Sequence, residues 1–321
     1  MTDVIVYLPL NEAQRARLQA AAPDYRLIYD ADAPVTEQQL SEAQIILGNP
    51  EEAGVLRFCR RLRWIHLSYA GADAYVQPGV LPEGALLANG TGAYGPAISE
   101  YMIAGLFAQR KKLDIYGRQQ AEHLWQRRGQ VPMVAGCTVL VLGLGDIGSC
   151  FARSMKALGC HVIGVKRRPA PKPDWLDALY TEAEVTALIP EADVIAMSLP
   201  GTAQTYHFMS RERIGLMKKD AILINVGRGM TLDTEALCTA LYAGRIGGAV
   251  LDVLETEPLP ADHPLWDAPR TIITPHASGR TMQPETLDRI VDMFAENLRL
   301  DAAGQPIRYL VDLQTGYRAG R

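Results

Sequence analysis

Residues 138–148 contain three local signals whose order constrains the fold more than any other part of the chain. Val139 to Leu142 form a continuous apolar run, typical of a strand buried on both faces. The run leads into the glycine pattern G-x-G-x-x-G and then into a stretch with helical spacing, Ser149 to Leu158. This order predicts the first strand, turn and helix of a dinucleotide-binding domain. The alternative is a glycine-rich turn that binds no ligand.

Each glycine of the turn has its own task in this prediction. Gly143 allows the tight turn, Gly145 lets a pyrophosphate approach the backbone, and Gly148 lets the helix pack close to the strand. The N-terminus of the helix would then face the phosphates with its partial positive charge.

A cluster of cations occupies the position that usually selects the dinucleotide. The next predicted strand, His161 to Val165, is followed by Lys166, Arg167 and Arg168. An NAD site would place Asp or Glu there, to accept hydrogen bonds from the ribose 2′-OH. Cations can instead form charge-assisted bonds with a 2′-phosphate, so the sequence predicts NADP as the preferred cofactor, with NAD also possible. The alternative is a solvated basic loop.

Length and composition exclude several classes of protein. The 321 residues, 48% of them hydrophobic, suffice for two domains with large cores. We expect a cytoplasmic protein without membrane contact, because no apolar run reaches the roughly 20 residues of a membrane helix and the N-terminus lacks a signal-peptide pattern. The formal net charge of −4 argues against a nucleic-acid partner. Five cysteines without a C-x-x-C pair predict reduced thiols and no metal site.

Strand and helix signals alternate along the chain, which is typical of α/β domains. We predict strands at residues 4–8, 25–29, 45–47, 64–68, 139–142, 161–165, 194–198, 221–225, 248–253 and 271–273. We predict helical segments at residues 12–21, 36–41, 55–59, 98–109, 149–158, 182–188, 211–216, 234–241 and 284–300. The segment Asn89 to Pro96 carries three glycines and a proline, which indicates a linker or hinge between two domains.

Three polar residues follow predicted strands of the second domain. These are Arg228, Glu257 and His276. Because ligands of doubly wound sheets bind beyond the carboxyl ends of the strands, all three are expected to face one crevice. A guanidinium can bind a carboxylate through two parallel bonds, and a histidine held by a carboxylate can carry a proton near neutral pH. Together they suit the reduction of a 2-oxo acid.

The chain resembles the D-isomer-specific 2-hydroxyacid dehydrogenase family over essentially its whole length. The resemblance rests on GLGDIG at 143–148, SLPGTAQT at 198–205, INVGRG at 224–229, LDVLETEPLP at 251–260 and ITPHASG at 273–279, with the loop at 68–73 and the closing VDLQTGY. The family implies two Rossmann-like doubly wound α/β domains with a cleft between them, the substrate domain being discontinuous. We place that flavodoxin-like domain at 1–97 plus 297–321 and the dinucleotide-binding domain at 98–296.

The resemblance also implies roles for individual residues. Arg228 would bind substrate, His276 would donate the proton, and Glu257 would pair with His276. Substrate contacts would come from Tyr69, Ala70, Gly71, Arg228 and His276. Cofactor contacts would come from Gly143, Gly145, Asp146, Ile147, Gly148, Lys166, Arg167, Arg168, Leu199, Pro200, Thr205, Val226, Gly227, Asp252 and His276. Two residues depart from the family pattern, namely Lys166 in place of an acidic residue and Arg280 in place of a small one.

The leading hypothesis is therefore an NADP-preferring oxidoreductase that interconverts a small 2-oxo acid and a D-2-hydroxy acid, of the glyoxylate or hydroxypyruvate reductase type. The family implies a homodimer built on the dinucleotide-binding domain. The alternative is a dinucleotide-sensing scaffold or corepressor with weak turnover, although such a protein has less need of Arg228, Glu257 and His276 together.

Overall fold

The computed structural model describes residues 1–279, 283–314 and 316–318, and within these the chain forms two compact units. The first unit comprises Met1–Tyr94 with Arg280–Arg321, and the second comprises Gly95–Gly279. The sequence analysis placed the second boundary later, so that residues 280–296 were expected in the dinucleotide-binding domain. Arg280, the second departure from the family pattern, lies outside the described residues.

The strands and helices alternate as the sequence predicts. The strands are β1 Thr2–Val6, β2 Tyr25–Tyr29, β3 Ile45–Leu47, β4 Trp64–His66, β5 Leu86–Ala88, β6 Thr138–Leu142, β7 His161–Lys166, β8 Ala178–Thr181, β9 Val194–Met197, β10 Ile222–Asn225, β11 Gly248–Leu251, β12 Thr271–Ile273, β13 Val311–Asp312 and β14 Tyr317–Arg318. The α-helices are α1 Glu12–Ala21, α2 Glu37–Glu42, α3 Gly95–Lys111, α4 Leu113–Ala121, α5 Asp146–Ala157, α6 Val185–Leu188, α7 Arg211–Gly215, α8 Thr234–Tyr242 and α9 Pro284–Ala302.

The first unit is built on a parallel sheet with the strand order β2-β1-β3-β4-β5. Its central strands are continuous apolar runs, and Ile5, Ile46 and Ile65 are fully buried. Helix α9 buries Ile290, Phe294 and Leu298 on its apolar face.

Polar contacts tie α9 to α1 within the first unit. Asp288 accepts hydrogen bonds from Gln14 Nε2 at 3.0 Å and from Arg17 Nη2 at 2.9 Å, and Arg17 Nη1 donates to Asp292 at 2.7 Å. These pairings join residues that are far apart in sequence, and they hold α9 against α1 in the first unit.

The second unit is built on a seven-stranded parallel sheet with the order β12-β11-β10-β9-β6-β7-β8. The chain runs outward from β6 to β8 and then returns to β9 on the other side of β6. The strand order therefore reverses between β6 and β9, and crevices at such reversals are the usual ligand sites of doubly wound sheets. The α/β fold with parallel sheets is confirmed.

Five elements had no sequence prediction, namely β5, β8, α4, β13 and β14, and one prediction changes type. β5 has only three residues, and the residues of β8 are all half-buried, so neither gives a long apolar run. α4 buries only Gln119, which gives it no apolar stripe. The helical segment expected at 55–59 is a 3₁₀ helix that spans Ala53–Phe58.

Two simple observations concern membranes and thiols. In the described parts of the chain no helix combines the length and the apolarity needed to cross a membrane. Four cysteines are buried free thiols, namely Cys59, Cys137, Cys160 and Cys238, and Cys150 is half-buried.

A buried histidine connects β4 with the C-terminal part of the first unit. His66 is fully buried, its Nε2 lies 3.2 Å from Asn89 O, and its Nδ1 lies 3.1 Å from Asn297 Nδ2. Because a carbonyl accepts and an amide NH₂ donates, these contacts fit a neutral ring that carries its proton on Nε2. Burial lowers the pKa of His66 from 6.5 to about 3, although the bond to Asn89 opposes this shift.

This arrangement predicts a loss of stability in acid. The unfolded chain binds a proton on His66 below about pH 6.5, while the folded chain does so only near pH 3. The stabilisation is therefore complete above pH 6.5 and declines as the pH falls, by roughly 2 kcal/mol between pH 6.5 and 5. The free energy of unfolding, measured with urea at pH 7.5 and 5, should fall more with pH in the wild type than in His66→Gln. An equal pH dependence in both proteins would contradict it.

Candidate active site

The carboxyl edge of the second unit's sheet collects most of the predicted site residues. Loops that follow parallel strands emerge on one edge, so residues distant in sequence come together there. Gly143 to Gly145 follow β6, Lys166 ends β7, Leu199 and Pro200 follow β9, Val226 to Arg228 follow β10, Asp252 follows β11, and His276 follows β12.

The glycine turn after β6 has no space for a side chain at Gly148 but open space at Gly145. A Cβ atom at Gly148 would lie 1.9 Å from Gly143 O, and Gly143 itself has a φ of +95°. Around Gly145, by contrast, no atom of the described chain lies within 4 Å of an added Cβ. Gly145 is also the N-cap of α5 and provides no side-chain bond to the helix N-terminus. The turn therefore fits a pyrophosphate at Gly145.

Asp146 and Ile147 occupy the first turn of α5 and are half-buried. Asp146 Oδ2 accepts a hydrogen bond from Gly95 N at 2.8 Å, at the start of α3. A Cβ at Gly95 would lie 2.6 Å from Asp146 Oδ1. Asp146 thus connects two helix N-termini, a structural contact that the sequence did not reveal.

The cationic cluster lies at the end of β7. Lys166 is half-buried, whereas Arg167 and Arg168 are exposed. Within the described chain these three side chains have no hydrogen bond or ion pair. Their charges are therefore uncompensated by protein groups and suit an anionic ligand.

The loop after β9 is closed by its own hydroxyl groups. Thr205 Oγ1 donates to Pro200 O at 2.6 Å and accepts from Thr202 N at 2.8 Å. Ser198 Oγ donates to Gly143 O at 2.8 Å, which links the loops after β6 and β9 where the strand order reverses. Thr205 is buried, so its hydroxyl shapes the loop that carries Leu199 and Pro200.

Arg228 lies in a tight turn after β10. Asn225 holds the turn, because its Oδ1 accepts from Gly227 N at 3.1 Å and its Nδ2 donates to Arg228 O at 3.2 Å. A Cβ at Gly227 would lie 2.5 Å from Leu199 O, which keeps the turn against the neighbouring loop. Arg228 is half-buried, and its Nη1 donates to Gly227 O at 2.9 Å.

His276 and Glu257 form the predicted pair. His276 Nδ1 lies 2.9 Å from Glu257 Oε2, and Glu257 Oε1 accepts from Leu254 N at 2.9 Å. The His276 side chain is 52% exposed, and its Nε2 has no hydrogen bond to any residue that the structure describes. One ring nitrogen is thus held by a carboxylate while the other is accessible, as proton transfer to a ligand requires.

Asp252 fixes the loop that carries His276. Its carboxylate is 1% exposed and accepts hydrogen bonds from the Thr274 and Ser278 hydroxyls and from the backbone N–H of Ala277 and Ser278. Its carbonyl accepts from His276 N at 2.9 Å. The carboxylate oxygens of Asp252 therefore hold this loop, and its expected contact with the cofactor stays a prediction.

A second histidine–carboxylate pair lies on the same edge and had no sequence prediction. His207 Nε2 lies 2.6 Å from Glu255 Oε1, and Glu255 Oε2 accepts from Thr234 N at 2.9 Å. Partial burial alone would raise the pKa of Glu255, but the bonds from Thr234 and His207 outweigh it and hold this pKa below its ordinary value. His207 N also donates to Met230 O at 2.8 Å, which ties this pair to the turn after Arg228.

The predicted substrate loop lies in the first unit, after β4. Tyr69 is exposed, while Ala70 and Gly71 are half-buried. Tyr94 is buried and donates its hydroxyl to Ser68 O at 2.8 Å. Burial raises the pKa of Tyr94 above its ordinary value, so the hydroxyl remains a hydrogen-bond donor. Tyr94 therefore positions the loop backbone.

Neither unit offers a metal centre in its described residues, since they contain no group of three or more His, Cys, Asp or Glu side chains that could hold an ion. The positioning residues found here, Ser198, Asn225, His207 and Glu255, had no sequence prediction. Three of them stand inside the motifs that carry the family resemblance and His207 stands just after one, and this is the only signal that could have indicated them.

Comparison with known proteins identifies what this chain is similar to. Residues 103–278 match the family described as D-isomer specific 2-hydroxyacid dehydrogenase, NAD binding domain. A glyoxylate reductase of Korarchaeum cryptofilum is 31% identical over 261 residues, which cover 79% of this chain and 77% of that protein.

Two solved structures share the whole architecture. A D-isomer-specific 2-hydroxyacid dehydrogenase family protein from Aeromonas salmonicida is 34% identical, with a TM-score of 0.86 over 97% of this chain and 99% of its own. An NADPH-dependent glyoxylate/hydroxypyruvate reductase from Sinorhizobium meliloti, in complex with NADP and sulfate, is 25% identical, with a TM-score of 0.84 over 99% of this chain and 100% of its own.

Proposed function

Because this chain belongs to the D-isomer-specific 2-hydroxyacid dehydrogenase family, we propose that it reduces a small 2-oxo acid of the glyoxylate or hydroxypyruvate type to the D-2-hydroxy acid with NADPH. The observation that carries this proposal is the His276–Glu257 pair, which lies on the carboxyl edge of the sheet that also bears the glycine turn. The Korarchaeum cryptofilum relative is a glyoxylate reductase, and the Sinorhizobium meliloti structure is a glyoxylate/hydroxypyruvate reductase in complex with NADP. We place the enzyme in the cytoplasm.

The chain's own residues supply the proton chemistry. Reduction of the carbonyl needs a hydride at carbon, which the reduced nicotinamide supplies when bound, and a proton at oxygen. His276 holds that proton on Nε2, while Glu257 orients the ring through its hydrogen bond with Nδ1. Arg228 binds the substrate through its guanidinium, and the turn held by Asn225 fixes the position of that group.

The dinucleotide is held by backbone and by cations. Gly143, Gly145 and Gly148, with the N-terminus of α5, bind the pyrophosphate, and Ile147, Leu199, Pro200, Val226 and Gly227 line the remaining site. Lys166, Arg167 and Arg168 bind the 2′-phosphate. One or two charge-assisted bonds of roughly 1.5–3 kcal/mol favour NADPH over NADH by about tenfold to several hundredfold.

Substitution of His276 tests the catalytic role. His276→Asn should lower kcat by at least about a hundredfold and leave the NADPH affinity unchanged, because general acid catalysis contributes roughly 10²–10⁴ in rate. Steady-state turnover with glyoxylate and fluorescence titration with NADPH measure the two quantities. His161→Asn, at an exposed histidine that begins β7, is the matched control and should turn over normally. Near-normal turnover of His276→Asn would exclude the assignment.

Exchange of the cationic cluster tests the cofactor preference. In the wild type kcat/KM should favour NADPH, and added salt should weaken the preference because it screens exposed charges. Lys166→Asp with Arg167→Ser should reverse the preference, since a carboxylate accepts the 2′-OH and repels a phosphate. The control, Lys219→Asp with Arg211→Ser, makes the same charge change at exposed sites elsewhere in the second unit. A wild type that prefers NADH would refute the cationic site and leave the reductase proposal intact.

We propose that two copies associate through their dinucleotide-binding units. An apolar set of side chains in the second unit is exposed around α4 and the segment that follows it, namely Leu113, Leu124, Trp125, Val131 and Met133. Trp125 is fully exposed and Met133 is 70% exposed, which is unfavourable for side chains of this kind in water. Sedimentation equilibrium should give twice the chain mass for the wild type, and Trp125→Glu should sediment as one chain. A monomeric wild type would contradict this proposal.

A further inference from the structure

Two peptide groups of the loop after β4 are oriented through their carbonyl oxygens. Tyr69 O accepts from Gly90 N at 2.9 Å, and Ala70 O accepts from Asn89 Nδ2 at 2.6 Å. Both peptides are trans, so each N–H points opposite to its carbonyl. The N–H groups of Ala70 and Gly71 therefore point away from residues 89 and 90, and neither donates to any residue in the described part of the chain.

Asn49 holds the start of the same loop. Its Oδ1 accepts from Ser68 N at 2.9 Å, from Ser68 Oγ at 2.6 Å and from Tyr69 N at 3.3 Å. Its Nδ2 donates to Tyr75 Oη at 3.2 Å, which fixes the orientation of the amide. The loop is thus bonded on its inner side by two asparagines, while two successive N–H groups remain available on the other.

We infer that Asn89 and Asn49 are positioning residues for the carboxylate of the substrate, an inference that rests on the proposed function. Successive backbone N–H groups that point the same way form a binding site for an anionic oxygen. Asn89 sets the direction of the Gly71 N–H because it holds the carbonyl of the same peptide, and it is itself 1% exposed, with Oδ1 accepting from Thr91 N at 3.2 Å. Both anchors are neutral amides, so they orient the site without repelling a carboxylate.

The test distinguishes effects on binding of the substrate carboxylate from effects on the rest of the substrate. Glyoxylate and glyoxylamide differ only in the charged group, so a defect confined to that group affects the acid alone. Asn89→Ala should raise KM for glyoxylate about ten- to a hundredfold, with kcat and the kcat/KM for glyoxylamide changed less than about threefold. Asn49→Asp keeps an acceptor for Ser68 and Tyr69 but adds a negative charge, so it should show the same selective loss in a loop that still folds.

Controls distinguish this inference from general damage and from failure of the proposed reaction. Asn11→Ala removes the N-cap of α1 in the same unit and should leave the ratio of acid to amide activity unchanged. Calorimetric titration with oxamate, a carboxylate that NADPH does not reduce, reads binding without turnover. If the wild type binds oxamate and Asn89→Ala does not, the inference holds even where no 2-oxo acid is reduced. Equal losses with acid and amide, or unchanged values in both asparagine variants, would overturn it.

Discussion

The buried carboxylate of Asp252 determines the path of the loop on which the proposed chemistry depends. A charge at 1% exposure is costly unless several donors surround it, and Asp252 receives two hydroxyls and two backbone N–H groups from residues 274–278. In the observed path, the loop after β12 places these donors around the carboxylate. His276, held at a φ of +50° between these donors, consequently reaches Glu257.

The same network extends away from the sheet edge. Tyr101 Oη lies 2.6 Å from Thr274 Oγ1, whose own proton is engaged by Asp252, so the tyrosine is the donor in this pair. Burial raises the pKa of Tyr101 to about 12, which keeps that proton in place. Helix α3 is thereby bonded to the loop of His276, so a long helix holds the short segment that carries the proposed proton donor.

The parts of the fold that sequence could predict are those governed by local patterns. The bounds of α1, β2, β3 and β12 match the predicted ones because apolar periodicity, a capping box or strong turn residues define them locally. β5 is only three residues long and is stabilised by pairing with β4, and α4 has no apolar stripe, so neither gives a local pattern strong enough to predict it. Helix α9 likewise lies in the first unit, where it is bonded to Gln14 and Arg17 of α1, which are far away in sequence.

The candidate site likewise has features that the sequence predicted and features that depend on residues distant in sequence. Motifs indicated the residue types on the sheet edge, but not which hydrogen bonds each one makes. Asp146 binds Gly95, Thr205 binds Pro200, and His207 pairs with Glu255, and each of these contacts depends on how two loops approach each other. Asn49 and Asn89 gave no signal, because an asparagine beside a glycine is equally typical of an ordinary turn.

The N-terminus of α5 has no side-chain cap, and this has a consequence for the stability and abundance of the protein in the cell. Its first backbone N–H groups have no side-chain cap at Gly145, so a pyrophosphate bound there completes the helix as well as the active site. A ligand that binds only the folded chain adds RT ln(1 + [L]/Kd) to the free energy of unfolding, about 2.7 kcal/mol when its concentration is a hundred times Kd. The steady-state abundance of this protein should therefore follow the size of the dinucleotide pool, with the molecules that lack cofactor being the first to unfold and be degraded.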